Sequence, residues 1–103
     1  MTTQKEHIKP HYKTHILRAL EYHFPDAQKI YLFGSRARKT HQEGADVDIA
    51  IDLGHLIDFR EMSRARNTMH NIPVPLKIDL VDMYAIPAHM KTAILEEGIL
   101  WKS

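Results

Sequence analysis

The chain has 103 residues, 44% apolar and 26% charged, with four glycines and five prolines, which suits one compact domain and leaves no room for two. Fourteen Lys and Arg against thirteen Asp and Glu give a formal net charge of +1, so no bulk attraction to nucleic acid or to an anionic membrane is expected, and anion binding falls to local clusters. With no cysteine, no apolar leader at the start and no window near roughly 18 apolar residues, disulfide frameworks, thiolate metal sites, secretion and membrane spanning are all unsupported, and the expected setting is cytoplasmic.

Residues 1–9 are polar and are expected to fray. Pro10 opens a first helix, because its missing N–H would have no partner in the first turn. Tyr12, Ile16, Leu17 and Leu20 recur at helical spacing until Pro25 and Asp26 end the run. Residues 29–33 form a short β-rich stretch that stops at Gly34 and Ser35, a strand running into a turn, and residues 36–44 read as a polar connection. Residues 46–53 then alternate strictly: Val47, Ile49, Ile51 and Leu53 share one strand face, and Asp46, Asp48, Ala50 and Asp52 the other. After a loop at Gly54 and His55, Asp58 can cap a second long helix with the apolar stripe Phe59, Met62, Ala65, Met69 and Ile72. Pro73 and Pro75 precede a strand over 76–82. Pro87 opens a last helix that stops at Gly98, and residues 99–101 are an edge strand or a packed tail. The order predicts an α/β (α+β) fold, a small mixed sheet flanked by helices, as one domain over 1–103.

The chemistry concentrates between Gly34 and Asp48. Asp46 and Asp48 stand two apart on one strand, so their side chains leave the same face with Cα atoms roughly 6.6 Å apart and can converge on one cation. Mg²⁺ takes oxygen ligands at about 2.0 to 2.1 Å and is commonly held by one or two carboxylates plus substrate phosphates. The pair alone would equally suit a solvated sheet face. Gly34 and Ser35 change the weighing: a strand ending in glycine admits close backbone approach, and the N–H groups and hydroxyl that follow can donate to phosphate. Arg36 and Arg38 add guanidinium donors nearby. Asp79 brings a third acid on a later strand, and if that strand neighbours the first acidic one, three carboxylates meet, as two-metal displacement at phosphorus requires. Asp82 falls on the opposite strand face and reads as a surface or capping residue.

Gly34 and Ser35, ten intervening residues, Asp46 and Asp48, then Asp79 on a later strand resemble the signature of the DNA polymerase β-like nucleotidyltransferases. Residues 33–38, 45–51 and 77–81 resemble the minimal nucleotidyltransferases in particular, over nearly the whole chain. The resemblance implies Asp46, Asp48 and Asp79 as ligands of two Mg²⁺ ions, Gly34 and Ser35 as triphosphate binders, and Arg36 or Arg38 as an anion contact. It implies an NTP substrate, ATP foremost, and transfer of AMP to a hydroxyl. It also implies a small helical HEPN-type partner, with this chain as antitoxin modifying a toxin tyrosine. Two positions depart from the family pattern: Lys39 stands where glycine is frequent, and Ala45 where serine is.

Eight histidines are scattered along the chain. His7, His11 and His15 are four apart, but Pro10 interrupts them and no fourth zinc ligand follows. His41 and the remaining histidines read as exposed, Arg60, Arg64 and Arg66 as a solvated helix face, and Met62 and Met69 as core. Trp101 is either packed or a contact for a second copy of the chain. Two other readings stand beside the enzyme: a binding module that neutralises a helical partner by occlusion, and a DNA-binding regulator, which the acidic strands and near-zero charge disfavour.

Overall fold

A computed structural model describes residues 6–103. The first helix, α1 (Pro10–His23), begins at the expected proline and buries Ile16 and Leu20. The segment before it does not fray as expected: Ile8 is buried in the core, and a ring nitrogen of His7, Nδ1, lies 2.7 Å from the Arg36 carbonyl. One buried isoleucine stabilises by roughly 1.5 to 3 kcal/mol, enough to offset ordering the few polar residues around it. Residues 1–5, the rest of that expectation, lie outside the described residues.

The chain continues through β1 (Lys29–Phe33), α2 (Gly34–Arg38), β2 (Val47–Asp52), α3 (Phe59–Met69), β3 (Ile78–Asp82), α4 (Ala88–Glu97) and β4 (Ile99–Lys102). The sheet order is β3-β2-β1-β4. β1 is antiparallel to both β2 and β4, whereas β2 and β3 are parallel. A parallel pair cannot be closed by a hairpin, and the crossover is made by α3. The mixed sheet flanked by helices is therefore as the pattern predicts, and residues 99–102 are an edge strand rather than a tail.

Period-two alternation sorts the strands' side chains. Ile30, Leu32, Val47, Ile49, Ile51, Ile78 and Leu80 face a large core shared with α1 and α3, while Tyr31, Ala50, Met83 and Ile94 form a smaller one under α4. Because α4 covers only part of the second face, Asp48 and Asp79 at its end remain half-buried.

Several local expectations change. Residues 34–38 are not a plain turn but the short helix α2, held by burial of Ala37 and closed by Lys39 at φ 58°, in the left-handed region. Asp58 caps α3 as expected, accepting from the N–H groups of Arg60 and Glu61 at 2.9 and 3.3 Å. Met62, Ala65 and Met69 pack inward, but Phe59, at the first position of the helix, is 79% exposed and no part of the core. Asp82 is buried rather than on the surface, because the N–H groups of Ile57 and Tyr84 donate to its carboxylate at 2.8 and 2.9 Å. His41 is likewise buried, not exposed. Among the described residues no helix is long and apolar enough to cross a membrane.

Candidate active site

Strand pairing brings two of the three acids together. Asp48 and Asp79 are register partners on the parallel pair, which sets their Cα atoms roughly 4.8 Å apart. Asp46 lies just before β2, where the Val47 N–H donates to the Lys77 carbonyl at 2.8 Å. On the other side of β2, Phe33 pairs with Asp48, so Gly34 enters α2 directly beside that carboxylate. Gly34 has φ +74°, and a Cβ there would overlap an Asp48 carboxylate oxygen. Glycine therefore serves twice: its backbone adopts this φ without strain, and it leaves the Asp48 carboxylate where a Cβ would displace it.

Burial raises the Asp48 carboxyl above the usual carboxylate range, and the negative charges of Asp79 and Asp46 raise it further. Lys77 and Arg38 act in the opposite direction without cancelling the rise. The Lys77 ammonium lies 4.0 Å from Asp46 Oδ2 and 3.8 Å from Asp79 Oδ1, so one cation already serves two of the three acids. An all-oxygen, net-negative cluster of this kind fits a hard divalent cation. The three carboxylates stand along the strand ends without converging on one point: among the described residues no three His, Cys, Asp or Glu side chains are placed to hold a metal ion by themselves, so oxygens of a bound substrate would have to complete the set. His7 precedes α1 and so does not share its face with His11 and His15.

The two arginines part company. Arg38 is about half-exposed, paired with Glu97 at 3.2 Å, and contributes favourable charge to Asp48. A surface pair of this sort is worth roughly 0 to 1 kcal/mol, so the guanidinium can exchange its partner for phosphate at little cost. Arg36, expected as an alternative anion contact, is 6% exposed. Its Nε and Nη2 donate to the Ala45 carbonyl at 3.0 and 2.9 Å, and its Nη1 to the His7 carbonyl at 3.1 Å. Burial lowers its pKa. The guanidinium is thus committed to the backbone immediately before Asp46, where it holds the acidic loop rather than a ligand.

A cleft of about 500 Å³ opens over Asp48 and Asp79, lined also by Phe33, Arg66, Lys77 and Met90 among others. Two of these were not legible as site residues. Period-two alternation puts Lys77 on the same face as Asp79, but spacing alone gives no reason to bring its ammonium to Asp46 as well. Arg66 lies on the supposedly solvated face of α3, but its Nη2 donates to the Leu80 carbonyl at 3.1 Å and so holds the guanidinium on the sheet edge. Nothing in the helix pattern announces that, because it depends on β3 being the outermost strand.

The family model described as polymerase beta, nucleotidyltransferase, matches residues 15–103. No curated protein matches the chain significantly. Among solved structures, a toxin–antitoxin complex with AMP-PNP contains a chain 24% identical, with TM-score 0.76 over 88% of this chain and 73% of the other. The MntA–HepT toxin–antitoxin gives 22% identity and TM-score 0.69 over 88% and 70%. A complex of MNT antitoxin with tri-AMPylated HEPN toxin from Shewanella oneidensis gives 22% and 0.73 over 93% and 74%. At these identities the likeness is one of fold.

Proposed function

The chain belongs to the polymerase beta nucleotidyltransferase family, and we propose that it transfers AMP from ATP to a hydroxyl acceptor, as the antitoxin half of a HEPN/MNT-type pair. The observation that carries the chemistry is the register pairing of Asp48 with Asp79, with Gly34 against the Asp48 carboxylate. The partner rests on the fold shared with an MNT antitoxin bound to its tri-AMPylated HEPN toxin and with a toxin–antitoxin that holds AMP-PNP. The acceptor in this reading is a tyrosine of a small helical partner, as the resemblance to the minimal nucleotidyltransferases implies.

Gly34 and Ser35 bind the triphosphate, and Arg38 turns from Glu97 to join them. Asp46, Asp48 and Asp79 would hold two Mg²⁺ ions, which when bound supply positive charge to the phosphates and lower the pKa of the acceptor hydroxyl. The acceptor oxygen bonds to the α-phosphorus, the bond from that phosphorus to the bridging oxygen breaks, and pyrophosphate leaves. Asp79 takes the hydroxyl proton. Lys77, between Asp46 and Asp79, keeps the acids from repelling one another when no other cation is present.

Incubation of the protein and its helical partner with α-labelled ATP and Mg²⁺ tests this. Label should pass to the partner, and Asp46→Asn or Asp79→Asn should abolish transfer with the circular dichroism spectrum unchanged. Full activity in either variant removes that acid from the site, and neutralisation of the partner without nucleotide binding would leave occlusion as the function.

A further inference from the structure

The acidic cleft does not end at Asp79. Val81, two residues on and on the same strand face, lines it and also lines a second groove of about 680 Å³, as does Arg66. This groove runs between the start of α3, the loop before it and the segment after β3, with Met62, Val81 and Ile86 in its lining. Leu56 and Phe59, 63% and 79% exposed, stand at its wall. Asp58 and Glu61 present two exposed carboxylates against the single Arg66 guanidinium, while the Asp82 carboxylate below them is buried on the Ile57 and Tyr84 N–H groups.

Direction of attack decides what the groove faces. The phosphate-binding turn at Gly34 follows β1, on one side of Asp48, and β3 lies on the other. In-line displacement places the entering oxygen opposite the departing pyrophosphate, so with the phosphates on the α2 side the acceptor enters from the β3 side. The acidic rim repels a nucleic-acid backbone and suits basic side chains, and the exposed Phe59 and Leu56 suit an apolar one.

Resting on the nucleotidyl-transfer reading, we infer that this groove seats the acceptor as a polypeptide segment. An apolar side chain packs on Phe59 and Leu56, a Lys or Arg faces Asp58 and Glu61, and the hydroxyl residue reaches past Arg66 to Asp79. Val81, which lines both the cleft and the groove, is roughly 6.6 Å from Asp79 along the strand, so an anchor on Phe59 and Leu56 lies beyond it, at least about two residues from the hydroxyl.

The test uses the full chain, Mg²⁺, α-labelled ATP and a degenerate peptide library in which each member carries one tyrosine or serine, with an RNA oligonucleotide as the competing acceptor. AMP-PNP binding is measured in parallel. Labelled peptides should be enriched in an apolar and a basic residue at fixed offsets from the hydroxyl. Phe59→Ala should raise the acceptor KM about tenfold or more, as loss of an aromatic anchor does. Glu61→Lys should exchange the basic preference for an acidic one, and AMP-PNP affinity should not change in either variant. Loss of AMP-PNP binding by the unaltered protein would instead sink the nucleotidyl-transfer reading itself. Intact binding with RNA labelled in preference, with no peptide labelled, or with a selection that ignores both substitutions would overturn the groove.

Discussion

Replacing Arg36 by methionine separates two roles for a buried guanidinium. The side chain makes three hydrogen bonds to two backbone carbonyls, those of Ala45 and His7. Hydrogen bonds from a charged donor contribute roughly 1.5 to 3 kcal/mol each, but the two on Ala45 share one acceptor, and removing a buried charge recovers part of its desolvation penalty. The net loss is about 2 to 4 kcal/mol, since methionine fills the volume and leaves the carbonyls unpaired. For a domain of this size each kcal/mol lowers Tm by about 4 to 8 °C, so a fall of at least about 8 °C is expected in a thermal melt followed by circular dichroism. Arg36→Lys, which retains the charge but not the fork, should fall between the two. AMP-PNP affinity should drop only through loosening of the loop before Asp46, and should recover partly at low temperature. A Tm within about 2 °C of the parent together with lost nucleotide affinity would place the guanidinium on phosphate and refute its role as a backbone tie.

Asp48→Asn bears on pH. Because burial and the neighbouring acids raise this carboxyl, its charged form opposes folding, fully so above the raised pKa and not at all below the ordinary value of about 4. In metal-free buffer the variant should therefore melt no lower than the parent at pH 7 to 8, and any advantage should close as pH falls towards about 4; an advantage that grows with acidity would contradict this. Gly34→Ala should cost about 1 kcal/mol for the left-handed backbone. It should also weaken AMP-PNP binding about tenfold or more by pushing the Asp48 carboxylate aside, and unaltered binding by calorimetry would show that the close approach is not needed. Lys39→Gly, at φ 58°, should raise stability by about 0.5 to 1 kcal/mol in urea denaturation, and an unchanged or lower midpoint would deny strain at that position.

The elements that could be read from the chain are those governed by near neighbours. Pro10, Asp58 and Pro87 mark helix starts through the chemistry of a few adjacent N–H groups, and the alternation puts Asp48 opposite Val47, Ile49 and Ile51, although the strand begins at Val47 and leaves Asp46 just before it. The same locality explains the misreadings. Ile8 and His41 look exposed because their own flanks are polar, and Phe59 looks buried because it continues the stripe of α3, yet each outcome depends on a surface supplied from elsewhere in the chain.

Residue spacing by itself determined that Asp48 lies opposite the apolar face of its strand and where glycine interrupts the chain, since backbone periodicity carries that information over distances of a few residues. Only the tertiary structure decided that β3 lies beside β2, that Arg36 donates to two carbonyls, that Asp82 receives two N–H groups, and that Arg66 borders both the cleft and the groove. Partners far apart in the chain make those contacts, and a side chain's donors go to whichever acceptors the sheet order brings within reach.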